Sequence, residues 1–138
     1  AGAAELAPWS CRGAGADERE LRAVELALTV QGPHQVLAMF QGKKLIENRA
    51  WEIPCGWYAL HVGSSRGSFW GRKAASHHPE FPQDEDALEN IPFGSIVGFV
   101  FVSEQRSVAE CRDNFWARGP ICHMISKTVQ LPTPDRKS

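Results

Sequence analysis

The 138-residue chain contains no apolar run near the roughly 18 residues that a membrane-spanning helix needs, so it is not expected to cross a bilayer with helices. It has no excess of either charge: 15 basic residues meet 16 acidic ones. The strongly basic surface that non-specific nucleic-acid binding requires is therefore absent. No Gly-rich phosphate loop, H-E-x-x-H helix or G-x-S-x-G elbow occurs, which sets aside the enzyme classes built on them. The N-terminus lacks the basic-then-apolar order of a secretory signal. These absences together predict a soluble intracellular protein, cytoplasmic or nuclear. The four cysteines, Cys11, Cys55, Cys111 and Cys122, include no C-x-x-C pair, and a chain of this length folds without staples, so reduced thiols are expected. Cys122 and His123, with His61 or Cys111, have ligand chemistry for zinc. Adjacent strand residues point to opposite faces, however, and the expectation is no metal and no cofactor.

What is present is enough for one core: 43% of the residues are hydrophobic. Residues 1–19 mix Ala, Gly, Pro and charge without a period and read as a mobile arm. From Val24, apolar residues alternate through Leu26, Leu28 and Val30, as in a half-buried strand. Gln31-Gly32-Pro33-His34 breaks it, and Val36, Leu37 and Phe40 follow at helical spacing until Gly42. Leu45–Trp51 returns to extended structure, and Trp57–Val62 is a strand rich in aromatic and branched residues. Arg66–Ala75 has weak helical character, and Asp84–Asn90 reads as a short acidic helix or turn. Ile96–Val102 is an apolar run suited to a central strand, and Ile121–Val129 is a last strand. This pattern predicts an α+β domain over residues 20–134, built on a small, partly closed β-barrel, with a charged tail at 135–138.

The segment with most chemical content is Gly42-Lys43-Lys44-Leu45-Ile46-Glu47-Asn48-Arg49. Gly42 stands where a helix should end, and Glu47 and Arg49, two apart, share one face of a strand. Lys44 and Arg49 can contact phosphate, and Glu47 can accept from the exocyclic amino group of a base. In a cleft, Lys44 and Glu47 would also perturb each other's proton affinity, as acid or base catalysis requires. The plain alternative is a set of solvated strand-end charges.

The spacing G-x-K-x-x-E-x-R resembles that of the ASCH domains, a branch of the PUA-like RNA-associated folds. Glu47-Asn48-Arg49-Ala50-Trp51, Gly56-Trp57-Tyr58-Ala59-Leu60-His61, Pro92-Phe93-Gly94-Ser95-Ile96-Val97-Gly98 and Gly119-Pro120-Ile121-Cys122 resemble the family in its order, over residues 23–133. The resemblance implies a small PUA-like β-barrel of about five to six strands with short flanking helices. It also implies a cleft carrying Lys44, Glu47 and Arg49 that takes RNA or a modified nucleoside. A similar bacterial branch removes the acetyl group of 4-acetylcytidine. There the residue matching Lys44 is the proposed base, a Thr nucleophile matches Glu47, and a more distant Glu assists. This chain has no Thr at that position, so an amidohydrolase would use Lys44 as base and Glu47 to orient or activate water, with Glu104 or Glu110 as the distant acid.

The family's Gln-Pro-aromatic is here Gln31-Gly32-Pro33-His34, so His34 is either a stacking surface for a base or an ordinary helix-start residue. Trp51 and Trp70 are the aromatics expected at the cleft, with the polar segment around Trp70 either a phosphate-binding rim or a solvated loop. Trp57 or Tyr58 and Phe99 or Phe101 are expected to be packing residues, and His61 an interior or barrel-end histidine. Glu80, Asp84, Glu85, Asp86 and Glu89 fall in a segment without Lys or Arg; removing these five leaves 15 basic residues against 11 acidic. That segment offers a surface to a basic protein partner, against the plainer reading of a solubilising run.

Overall fold

Alternation of apolar and polar residues makes strands, and in the computed structural model it makes a single five-stranded sheet. The structure describes residues 18–64 and 78–135. In chain order the elements are helix α1 (Glu18–Arg22), strand β1 (Ala27–Gln31), helix α2 (Pro33–Phe40), β2 (Ile46–Arg49), β3 (Gly56–Gly63), helix α3 (Glu85–Glu89), β4 (Ile96–Ser107), a 3-10 turn (Val108–Cys111) and β5 (Ile121–Asp135). The strand order is β1-β3-β4-β5-β2. β1 pairs in parallel with β3, and every other neighbouring pair is antiparallel.

The α+β class is as expected, but the sheet is not closed into a barrel. β1 and β2 are its two edges, and among the described residues no ladder joins them. One side chain spans the seam instead: Arg49 on β2 donates from Nη2 to the carbonyl oxygen of Thr29 on β1 at 2.8 Å.

The main core lies between the sheet and α2. Val36, Leu37 and Met39 of the helix pack with Leu28, Val30, Leu60, Val62, Val97, Val100 and Val102, all buried. Gly98 allows this approach. A Cβ there would stand 2.1 Å from the Val129 carbonyl oxygen and 2.8 Å from the Phe40 ring. A second cluster behind β2 joins Ala38, Ile46, Phe81, Cys111, Trp116, Ala117 and Cys122. Tyr58 is buried, with its hydroxyl donating to the Pro54 carbonyl at 2.6 Å, and Trp57 meets Phe101 edge-on at 5.3 Å.

Several boundaries differ from expectation. Strand pairing begins at Ala27 rather than Val24, and Leu26, expected inside, is 59% exposed. Residues 1–17 lie outside the described residues; Glu18–Arg22 is helical and buries Leu21 against Val129. β4 and β5 both run longer than their apolar stretches. Past Val102, β4 continues to Ser107 because β5 supplies a partner through Cys122 and Ile121. At the other end β5 reaches Asp135, opposite Ile96, so Leu131–Pro134 belongs to the strand. Arg66–Ala75 lies outside the described residues.

Candidate functional site

The site begins at the C-terminus of α2. Gly42, at φ 79°, takes the left-handed conformation, and two reversed bonds close the helix: Gly42 N–H to Met39 O at 3.0 Å and Lys43 N–H to Ala38 O at 2.9 Å. This is the Schellman arrangement, for which glycine is favoured because it has no Cβ to clash. Lys44 N–H adds a bond to Ala38 O at 3.0 Å, and the chain turns Lys44 inward.

Lys44 is 1% exposed. Its ammonium donates to the Ile46 carbonyl and to Glu47 Oε1 at 3.3 Å, and lies 5.5 Å from the centre of the Trp116 ring. Burial pushes its pKa below the ordinary lysine value, and the Glu47 carboxylate opposes that shift. Glu47 then passes the chain outward, its Oε2 accepting from Arg49 Nη2 at 2.9 Å. Each carboxylate oxygen thus meets a different cation. The backbone of Glu47 is held from the other side by His123, its antiparallel partner on β5. His123 Nε2 accepts from Ile53 N–H at 3.0 Å, which leaves Nδ1 as the donor toward Glu47 O at 3.3 Å.

A cavity of about 280 Å³ opens at the seam between the two sheet edges, lined by Thr29, Val30, Gln31, Gln35, Glu47, Asn48, Arg49 and Arg118. That is near the lower end of small-molecule sites, roughly 300–1,000 Å³. Glu47 and Arg49 are on its wall. Lys44 is not: it stands behind the wall with its charge spent on Glu47 and Ile46. The inward turn after Gly42 is the reason, and direct contact between Lys44 and a ligand phosphate is not what this geometry offers.

The sequence reading missed Asn48 and Arg118. Asn48 Oδ1 accepts from the backbone N–H groups of Arg118 at 2.7 Å and Gly119 at 2.8 Å, and its Nδ2 donates to Trp116 O at 2.9 Å. One amide therefore ties the 116–119 loop to β2. Gly119, at φ 70°, sits with its Cα against Val108, where a Cβ would approach the Val108 side chain to 2.6 Å. The loop delivers Arg118 to the cavity wall, 69 positions from Arg49 in sequence. Its Nη1 donates to Phe115 O at 3.1 Å and Ala117 O at 2.9 Å, and its guanidinium lies 5.8 Å from the Phe115 ring centre. An Asn flanked by Glu47 and Arg49 in a short strand was the available signal, since a polar side chain between two committed charges needs partners of its own.

The expected aromatic residues are not on the wall among the described residues. Trp51 is 65% exposed, and the strand ends before it at Arg49. His34 is half-buried in the first turn of α2, one residue from Gln35, which does line the cavity. Trp70 lies outside the described residues. Glu104 pairs with Arg106 on the surface, and Glu110 closes a capping box with Ser107, so neither lines this cavity. Glu110 instead borders a second cavity of about 330 Å³ with Ile46, Arg106 and Cys111. His61 bonds across strands to Thr29 Oγ1 at 3.2 Å. Cys55, Cys111 and Cys122 are free thiols, and no metal-binding cluster of His, Cys, Asp or Glu occurs among the described residues. No helix among them is long and apolar enough to cross a membrane.

No model of a known protein family matches the chain, and no curated protein matches it.

Proposed function

We propose that this chain is a PUA-like domain of the ASCH type that binds RNA or a modified nucleoside at the seam between β1 and β2. The observation that carries the reading is the relay Lys44–Glu47–Arg49, which ends on the wall of a cavity of about 280 Å³. Mixed charge at that scale suits a nucleobase and its sugar better than a fatty ligand. Glu47 keeps acceptor capacity on both oxygens after its two ion pairs, since a carboxylate has about four lone-pair sites. It can therefore take an amino group of cytosine, adenine or guanine, which uracil lacks. Lys44 acts from behind, holding the carboxylate aimed through its bond to Oε1. The near-neutral chain favours a short unpaired RNA or a single nucleoside over long duplex, which needs more basic surface.

Calorimetric titration with the four ribonucleosides and short single-stranded RNAs tests this. Binding is expected for ligands bearing an amino group, weakened about tenfold or more in Glu47→Gln. Equal binding of uridine and cytidine by a folded protein, unchanged in the variant, would remove Glu47 from recognition.

The amidohydrolase alternative uses the same cleft, and in it water activation falls to Glu47, because Lys44 is sealed from the cavity. Conversion of 4-acetylcytidine to cytidine, lost in Glu47→Gln, would establish it; tight binding without product would leave a binding module.

A further inference from the structure

We infer that Gln35 is a specificity-determining residue of this cleft, its amide oxygen accepting a hydrogen bond from an uncharged donor of the ligand, a sugar hydroxyl or an amino group of the base; the inference rests on the nucleoside-binding reading above. Gln35 stands in the first turn of α2, is 6% exposed and lines the cavity. Glutamine is seldom buried to that degree, and when it is, both ends of its amide need partners. One end is accounted for. Nε2 donates to the Gln31 carbonyl oxygen at 3.0 Å, and since a carbonyl can only accept, the nitrogen must face it and the amide oxygen must point elsewhere.

No described residue donates to that oxygen. Arg49 Nε is the one sealed side-chain polar atom left without a partner among the described residues, so Gln35 Oε1 still meets open space. For a residue 6% exposed on the cavity wall, that space is the cavity. The bond to Gln31 O holds the amide in place by joining α2 to the last residue of β1, which also lines the cavity. The oxygen is therefore a pre-set acceptor that needs little ordering when a ligand arrives. Its character differs from that of Glu47, whose two oxygens each meet a cation. A neutral amide oxygen accepts a neutral O–H or N–H with no cation beside it, and a ligand lacking that group would shut the oxygen away from water unpaired. Sites built to hydrogen-bond one group reject the analogue without it for that reason.

The donor is a ribose hydroxyl or the exocyclic amine, and a cycle of protein and ligand changes separates them. Cytidine, its 2′-, 3′- and 5′-deoxy analogues, and the pyrimidin-2-one ribonucleoside, which lacks the amine, are titrated against wild type and Gln35→Met, whose side chain keeps the length and loses the oxygen. Cytidine is expected to bind Gln35→Met about tenfold more weakly than wild type, and one analogue is expected to bind both proteins alike. That analogue names the donor. Gln35→Glu, which keeps an acceptor, should still discriminate against it. General loss of stability would not move this ratio between ligands. Should Gln35→Met fail to fold, Gln35→Ala decides through the same cycle. Weakening of every ligand by one factor, or of none, makes Gln35 a packing residue and overturns the inference while leaving nucleoside binding at Glu47 intact. Failure of a folded wild-type protein to bind cytidine at all overturns both.

Discussion

Truncating Lys44 separates a buried structural ammonium from one that meets ligand. Lys44→Ala removes three methylenes and the charge from a position 1% exposed. At about 0.8 kcal/mol for each buried methylene, the lost stem accounts for about 2.4 kcal/mol. Glu47 then loses one partner. A fully orphaned buried charge costs about 3–5 kcal/mol, but Arg49 remains on Oε2 at 2.9 Å, so about 1 kcal/mol is assigned to this step. The sum, about 3 kcal/mol, lowers the melting temperature by about 10 °C in a domain of this size. Lys44→Met keeps most of the stem but loses the ion pair and the bond to the Ile46 carbonyl, so it should fall about 1–2 kcal/mol below wild type, less than the Ala variant. Urea unfolding followed by tryptophan fluorescence measures both, with Trp116 beside the ammonium as a local reporter. If the Ala variant unfolds within about 0.5 kcal/mol of wild type, as surface substitutions do, Lys44 is not sealed behind Glu47 and the relay is misread.

The depressed pKa of Lys44 makes stability depend on pH. Between its folded value and 10.5, the unfolded chain binds a proton that the folded chain has released, so stability rises with pH across that window. The stability of wild type relative to Lys44→Met should therefore increase as pH rises toward 10.5, and a flat difference in urea midpoints would contradict it. Asn48→Ala leaves the N–H groups of Arg118 and Gly119 and the Trp116 carbonyl without their partner and should cost about 2–3 kcal/mol; Asn48→Asp, which retains the acceptor, should cost less by thermal melting. Gly98→Ala drives a Cβ against the Val129 carbonyl, which a strand pair cannot yield easily. A loss of about 3 kcal/mol is expected, and a melt unchanged from wild type would refute the close approach of β4 and β5 there.

Local pattern carried much of the architecture. The alternation at Leu28 and Val30 placed a strand, Pro33 and Gly42 bracketed a helix, and the run from Ile96 marked the first half of β4, because each depends on neighbours a few residues away. Leu26 shows the limit of that logic: the alternation continues through it and the Ala59 N–H of β3 still bonds its carbonyl at 2.9 Å, yet its side chain is left exposed, because a local pattern does not say whether another element covers that end of the face. The lengths of β4 and β5 were equally out of reach, since hydrogen bonds between the two strands sustain them after the apolar residues end.

The sequence by itself determined that Glu47 and Arg49 share a face, because two residues along a strand always do, and that Gly42 ends a helix. Only the tertiary structure decided what those charges meet. It buried Lys44 behind Glu47, left the sheet open between β1 and β2, and used Asn48 to bring Arg118 across 70 positions to the cavity wall. Spacing along a chain specifies which face a side chain takes. What stands opposite that face is set by strand order and by the burial that packing imposes, and neither is a property of any short segment.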